Sequence, residues 1–283
     1  ITLDGNFLIA NDQKVRILPG GEPGKIPWDS FNVDVLIDAT GKYRKSADLQ
    51  KHIDAGAKRV IVTVPPNDEI DRIVIPGINE ETIELSDQVI STTSSTTQVL
   101  ALMLKMLDEK FGVKRAMMTT IHAYTSDQPL ADSAQADLRR SRSAVENIIP
   151  NKTWAPGFVE KIMPQFSGKI AGTAFNVPVS NGSSVDLTTE LNHLPSVDVV
   201  NEAIKSFADS SLKSIVGYTD DPIVSRDVIG CSETMIFDAK ATMISANALL
   251  KTVCWYDNGW GFSARILELI KSYQSLENKG DAS

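Results

Sequence analysis

The 283-residue sequence predicts α/β followed by α+β: a partial doubly wound parallel sheet, then a domain built on a mixed, mainly antiparallel sheet. Three observations carry this. Residues 33–38 (VDVLID) and 58–66 (KRVIVTVPP) are nearly unbroken apolar runs, the pattern of strands buried on both faces of a parallel sheet. The segment between them, KSADLQKHIDAGA, has helical spacing, so the three form a βαβ unit. After Lys114 the texture changes to short, often alternating extended runs interrupted by one clear helix, which is the signature of an α+β layer.

Taken in order, the first helix stops at Gly56 and the second strand ends at two prolines. A short strand, QVISTT, leads into the hydroxyl run Ser91 to Thr97, and QVLALMLKMLDEKFG continues as a helix ending at Gly112. Beyond it, KRAMMTTIHAYT, KIAGTAFNVPVS, SSVDLTTEL, SIVGYTDD, ETMIFDA and LLKTVCWYD read as strands. SVDVVNEAIKSFADSS reads as a helix with Ser196 as its N-cap, and FSARILELIKSYQSLENK as a closing amphipathic helix. The expected organisation is a dinucleotide-binding remainder over 1–94, a catalytic-type domain over 95–261, and a helix over 262–279 that returns to the first domain.

Bulk properties exclude several classes. At 42% hydrophobic and 23% charged residues the chain has a soluble globular composition, and a net charge of −8 argues against nucleic acid as a main partner. No apolar run reaches the ~20 residues of a membrane span. The two cysteines, Cys231 and Cys254, lack metal-ligand spacing, so neither a metal site nor a disulfide framework is expected. A reducing compartment follows, the cytoplasm before an organelle. The N-terminus is neither a signal peptide nor a Met start, and reads as the middle of something. GGEPGK, residues 20–25, superficially resembles a phosphate loop, but the spacing fails and Ile26 stands where a magnesium-binding hydroxyl belongs; a surface turn explains it. Without a glycine-rich turn ahead of it, the strand at Val33 lacks the neighbours expected in the first half of a doubly wound sheet. Either upstream residues are absent or another polypeptide covers that edge.

The chemistry centres on STTSSTTQVLA, residues 91–101. Hydroxyls at a helix N-terminus cap free amides, and those amides attract anions. A cysteine there is an activated thiolate, whereas a serine needs a strong base and an oxyanion hole. Helix capping alone is the plain alternative. His122 lies on an apolar strand, as a packed residue or as a base. Arg139, Arg140 and Arg142 form a solvated patch or a set of ion pairs on their own.

Together, STTSSTTQVLA, HAYTSDQ, DLRRSRSA with IIP, NVPVS, SSVDLTTEL, VSRD and CWYDNGWGFS resemble the glyceraldehyde-3-phosphate dehydrogenase family, in order. That family carries S-N-A-S-C-T-T-N-C-L-A, H-A-Y-T-x-D-Q, D-L-R-R-x-R-x-A, R-V-P-x-P, S-V-V-D-L-T and S-W-Y-D-N-E-W-G-Y-S. The resemblance runs from Ile1 to about Tyr273 and lacks roughly the first sixty residues of the family, including its pyrophosphate-binding glycine turn. It implies a Rossmann-type cofactor domain and an aldehyde dehydrogenase in which a cysteine attacks the aldehyde and a histidine acts as base. Hydride then passes to NAD and phosphate releases the acyl group. By this alignment Ser95 takes the nucleophile position and His122 the base position. Thr40 and Asn258 take cofactor-binding positions, and Ser94, Thr96, Thr125, Arg140 and Thr153 fall on the phosphate-binding ones. NAD or NADP is implied as cofactor, in doubt without the glycine turn. A homo-oligomer, a tetramer in the family, or a place in a larger assembly is implied as the partner state.

The departures cluster at the chemistry: Ser95 for Cys, Asn176 for the substrate-phosphate arginine, Trp154 for a small glycine donor and Gly259 for Glu. They point to a catalytically inactive structural or regulatory subunit. The alternative is an active NAD(P)-dependent phosphorylating dehydrogenase in a Cys-to-Ser form. A Ser95/His122 hydrolase or acyl carrier, oriented by Asp127 or Asp186, is a third reading. Binding of another ligand, RNA included, is a fourth.

Overall fold

The computed structural model describes residues 1–11, 13–245 and 248–280. It opens on a three-stranded antiparallel meander of β1 (Thr2–Asp4), β2 (Phe7–Ala10) and β3 (Gln13–Arg16), elements the sequence reading did not anticipate. The strands are too short and too exposed to carry a burial pattern. GGEPGK follows in a turn that opens no helix of the phosphate-loop kind.

A four-stranded parallel sheet comes next: β4 (Val35–Asp38), β5 (Arg59–Val62), β6 (Arg72–Ile73) and β7 (Val89–Ser91), in the order β4-β5-β7-β6. Helix α1 (Ser46–Asp54) crosses from β4 to β5 and ends before Gly56, whose φ of +100° only glycine adopts without strain. Leu49 of α1 joins Leu36, Val60, Val62 and Val89 in one apolar layer. One expectation needs correction. Strand β4 is not buried on both faces: Leu36 and Asp38 point inward, but Ile37 is 42% exposed, because β4 is an edge strand among the described residues.

The larger sheet has eight strands: β8 (Val113–Ala123), β9 (Ile149–Asn151), β10 (Ile170–Val177), β11 (Ser183–Leu191), β12 (Val216–Thr219), β13 (Met235–Asp238), β14 (Met243–Ser245) and β15 (Leu249–Tyr256). Its order is β12-β13-β15-β11-β8-β10-β9, with β14 on β15. Only β8/β10 and β12/β13 pair in parallel, so the sheet is mixed and mainly antiparallel. One face carries α2 (Ser95–Phe111), α3 (Ala155–Ile162) and α4 (Val197–Asp209). α2 is buried almost all round because it lies between the sheet and the other two helices. Ser196 caps α4 by accepting from the Val199 amide at 3.4 Å. On the opposite face, Met117 is 64% exposed.

Helix α5 (Trp260–Gly280) packs on the parallel sheet, where Ile266, Leu269 and Tyr273 meet Ile61, Val74, Ile83 and Ile90. No helix among the described residues is long and apolar enough to cross a membrane. Among them, too, no group of His, Cys, Asp and Glu is placed to hold a metal.

Candidate active site

The hydroxyl run forms the turn from β7 into α2, and most of its oxygens are committed to holding that turn. Ser91 Oγ donates to the Val64 carbonyl at 2.9 Å and accepts from the Thr93 amide at 3.0 Å. Thr93 is buried and has φ +61°, a left-handed conformation that costs a β-branched residue about 1–3 kcal/mol. The Gln98 amide, bonded to the Thr92 carbonyl at 3.0 Å, helps to impose it. Ser94 is the N-cap, accepting from the Thr97 amide at 3.2 Å. Thr96 Oγ1 lies 2.8 Å from the buried Tyr256 hydroxyl, which in turn lies 3.1 Å from Thr120 Oγ1 on β8. Ser95 differs. It is half-buried, stands at the first position of the helix, and among the described residues its hydroxyl has no hydrogen-bond partner.

His122 is the penultimate residue of β8 and pairs in register with Asn176 of β10. Its Nδ1 lies 2.7 Å from the Ala123 carbonyl, an acceptor, so Nδ1 carries the proton and Nε2 the lone pair. Burial pushes the ring's pKa down, against smaller opposing effects of the Ala123 carbonyl and the Asp127 charge. His122 is therefore a neutral base at neutral pH. No carboxylate orients it: Asp127 engages Thr125 and Arg140, and Asp186 engages Lys251 at 2.7 Å. The third member of a hydrolase triad is absent among the described residues.

Ser94, Thr96, His122, Thr125, Arg140 and Thr153 line one cavity of 260 Å³, together with Asn176 and Trp154. Ser95 sits on the turn beside it and does not line it. Two cations that the sequence reading missed, Arg44 and Lys152, also face the cavity, as do Thr63 and Thr120. Arg140 is paired with Asp127 and Arg142 with Asp132 at 3.0 Å, so two of the three clustered arginines are in ion pairs. Asn176 presents no cation. Its Nδ2 donates to the Ala123 carbonyl and its Oδ1 accepts from Asn151, both at 3.3 Å, which ties the amide into the sheet.

Thr40 and Asn258 lie outside this cavity. Exposed Thr40 follows β4 and donates both its amide, at 2.9 Å, and its hydroxyl, at 2.6 Å, to Asp38 Oδ1. Asn258 Oδ1 accepts from Ser183 Oγ at 2.5 Å, and the same Ser183 oxygen accepts from the Ala123 amide at 3.0 Å. A mostly apolar groove of 320 Å³ runs between the ends of β4 and β5 and the start of α5, lined by Ile37, Ala39, Gly259 and Phe262 among others. Thr63 borders both groove and cavity.

Asp257 fixes the turn that carries Asn258. It accepts from the amides of Gly230 (2.9 Å), Gly259 and Trp260 (both 2.8 Å) and from Asn181 Nδ2 at 3.0 Å. Burial pushes its carboxyl up, and these bonds outweigh that and hold it below the usual carboxylate range. A carboxyl lowered in the folded state adds stability above its unfolded value near 3.9, and loses it as pH falls through the folded value. Asp257→Asn should thus cost about 1–3 kcal/mol at pH 7, with the gap from wild type narrowing toward pH 3 in urea denaturation. An unchanged gap across that range would show that the carboxylate charge is not what the turn uses.

Residues 94–258 match the family profile described as glyceraldehyde 3-phosphate dehydrogenase, C-terminal domain. Glyceraldehyde-3-phosphate dehydrogenase 1 of Bacillus subtilis is 41% identical over 270 residues, which are 95% of this chain and 80% of that protein. The chain belongs to the glyceraldehyde-3-phosphate dehydrogenase family. Glyceraldehyde-3-phosphate dehydrogenase 2 of Streptomyces avermitilis is 42% identical over 95% of this chain and 80% of its own length. The Mycobacterium avium glyceraldehyde-3-phosphate dehydrogenase is 42% identical over the same shares. Asn176 and Trp154, two of the positions where the motif resemblance breaks, line the cavity itself.

Proposed function

We propose that this member of the family holds a small phosphorylated ligand in the cavity without forming an acyl bond at residue 95, and serves as a structural or regulatory subunit. The observation that carries the reading is Ser95 itself. A hydroxyl stands at the N-terminus of α2, and among the described residues no hydrogen bond joins it to His122 or to any other base. Such a hydroxyl stays protonated in a field that would ionise a thiol. Support for a retained anion site comes from Arg44 and Lys152, neither in an ion pair among the described residues, beside the hydroxyls of Ser94 and Thr153.

NAD or NADP, a hydride acceptor when bound, is the cofactor that family membership suggests. The residues fit its nicotinamide end: Asn258 keeps its amide donors uncommitted, and the apolar groove lies at the carboxyl ends of parallel strands. Neither Thr40, whose hydroxyl hydrogen is committed to Asp38, nor GGEPGK supplies a pyrophosphate cradle. An oligomer is supported by the open face of the large sheet, where a hollow of 390 Å³ is lined by Met117, Ile170, Ala171 and Leu249.

The test is NAD-dependent oxidation of a phosphorylated aldehyde. Wild type should fall on the order of 10⁴-fold or more below an active family enzyme. Turnover at a family-like rate sinks the reading. A second reading, an active dehydrogenase in a Cys-to-Ser form, draws on relatives at about 40% identity that carry the dehydrogenase name. It requires Ser95→Cys alone to restore activity, whereas the first requires changes at Asn176 and Trp154 as well.

A further inference from the structure

Trp154 borders three cavities: the central one, a hollow of 820 Å³ beside Arg139, and a third of 390 Å³. Its side chain is 68% exposed at the N-cap of α3, where it makes no capping bond. The indole is thus a wall common to all three.

Two elements bound the third cavity. From α3 come Trp154, Phe158 and Lys161, spaced i, i+4 and i+7 along one face. Facing them are Pro65 and Pro66 after β5 and Arg44 after β4, the two loops joined by the Asn67 amide donating to the Arg44 carbonyl at 2.8 Å. Arg44 Nε donates to the Gly41 carbonyl at 3.3 Å, and Lys161 Nζ stands 5.1 Å from the Phe158 ring centre. Neither cation has a carboxylate partner among the described residues, and no Asp or Glu lines the cavity. In a chain of net charge −8 this corner selects for anions. Arg44, Pro65 and Trp154 line both this cavity and the central one, so the two adjoin at these residues.

We propose that the third cavity is a second ligand compartment, which takes the ring of an aryl or heteroaryl phosphate whose phosphate lies in the central cavity. The proposal rests on the phosphate-holding reading above. A flat ring suits the space between the indole and the proline faces, and 390 Å³ falls in the range of small-molecule sites. A three-carbon phosphate would leave that space to water. Arg44, at the junction, supplies the cation that Asn176 does not.

Calorimetric titration of the whole chain with two probes, inorganic phosphate and phenyl phosphate, tests it. Phenyl phosphate should bind about tenfold tighter. Trp154→Gly should bring the two affinities together, and Trp154→Phe should keep most of the preference. Arg44→Gln should weaken both probes by about tenfold. These side chains are exposed or half-buried, and thermal melts will confirm folded variants. Equal binding of the two probes by wild type, or a preference that survives Trp154→Gly, overturns the second compartment and leaves the phosphate-holding reading standing. Failure of both probes to bind overturns the two together.

Discussion

Ser95→Cys should create a thiol that alkylates rapidly at neutral pH while the two native cysteines react far more slowly. α2 is a 17-residue helix with no acidic residue in its first turn, so nothing there opposes the partial positive charge of its N-terminus. That field should bring a thiol from about 8.5 to below about 7.5. His122, kept neutral by burial, is free to act as a proton acceptor. The background is low. Cys254 is fully buried with its thiol pushed well up, and burial with the Glu233 and Asp257 carboxylates pushes Cys231 up as well. Iodoacetamide labelling read by mass spectrometry should proceed at residue 95 at least about tenfold faster than at Cys231 at pH 7, levelling off by pH 8. Labelling that keeps climbing to pH 9 would mean that the turn no longer activates what it holds.

Gly182→Ala should cost about 3–5 kcal/mol, read as a shifted urea midpoint. Gly182 precedes β11 at φ +85°, and a Cβ there would lie 2.0 Å from the Ser225 carbonyl oxygen and 2.7 Å from its carbon. Both atoms are backbone, so no rotamer relieves the clash. The flanking residues support the site: Asn181 bonds Asp257, and Ser183 bonds both Asn258 and the strand of His122. Gly168→Ala is the control, with φ +72° and open space around it, and should cost about 1–2 kcal/mol. Equal costs for the two would show that the Ser225 loop moves aside freely.

Which elements were legible follows from burial. β8, β11 and β15 are long enough, and one-sided enough, for apolar and polar residues to alternate, and α2 carries an apolar helical repeat over four turns. β9 and α3 were missed because each is short and holds a proline, which reads as a break; Pro156 in fact stands in the first turn of α3. Residues 33–38 read as doubly covered because an apolar run records composition, not the neighbours that cover it, and Ile37 is only partly covered. In the cavity, His122, Thr125, Arg140 and Thr153 were found because short motifs place them. Arg44 was not, because its place depends on two loops closing through the Asn67 amide, a contact with no local signature. Tyr256 lay within a quoted motif, but the hydroxyl chain linking it to Thr96 and Thr120 exists only once β15, β8 and α2 have met.

The packing of α5 sets an order of events during synthesis. The Tyr273 hydroxyl donates to the Asp87 carbonyl across 186 residues, and Arg59 pairs with Glu277 across 218. A ribosome adding roughly 5–20 residues per second delivers that helix about 10–40 s after the parallel strands have emerged. Through that interval Ile61 and Ile90 have no helix over them, in a sheet whose pairings are themselves slow to form. Over that stretch of translation the nascent chain carries one apolar face of the parallel sheet bare. A stop before residue 260 would release a product whose strands never receive their cover.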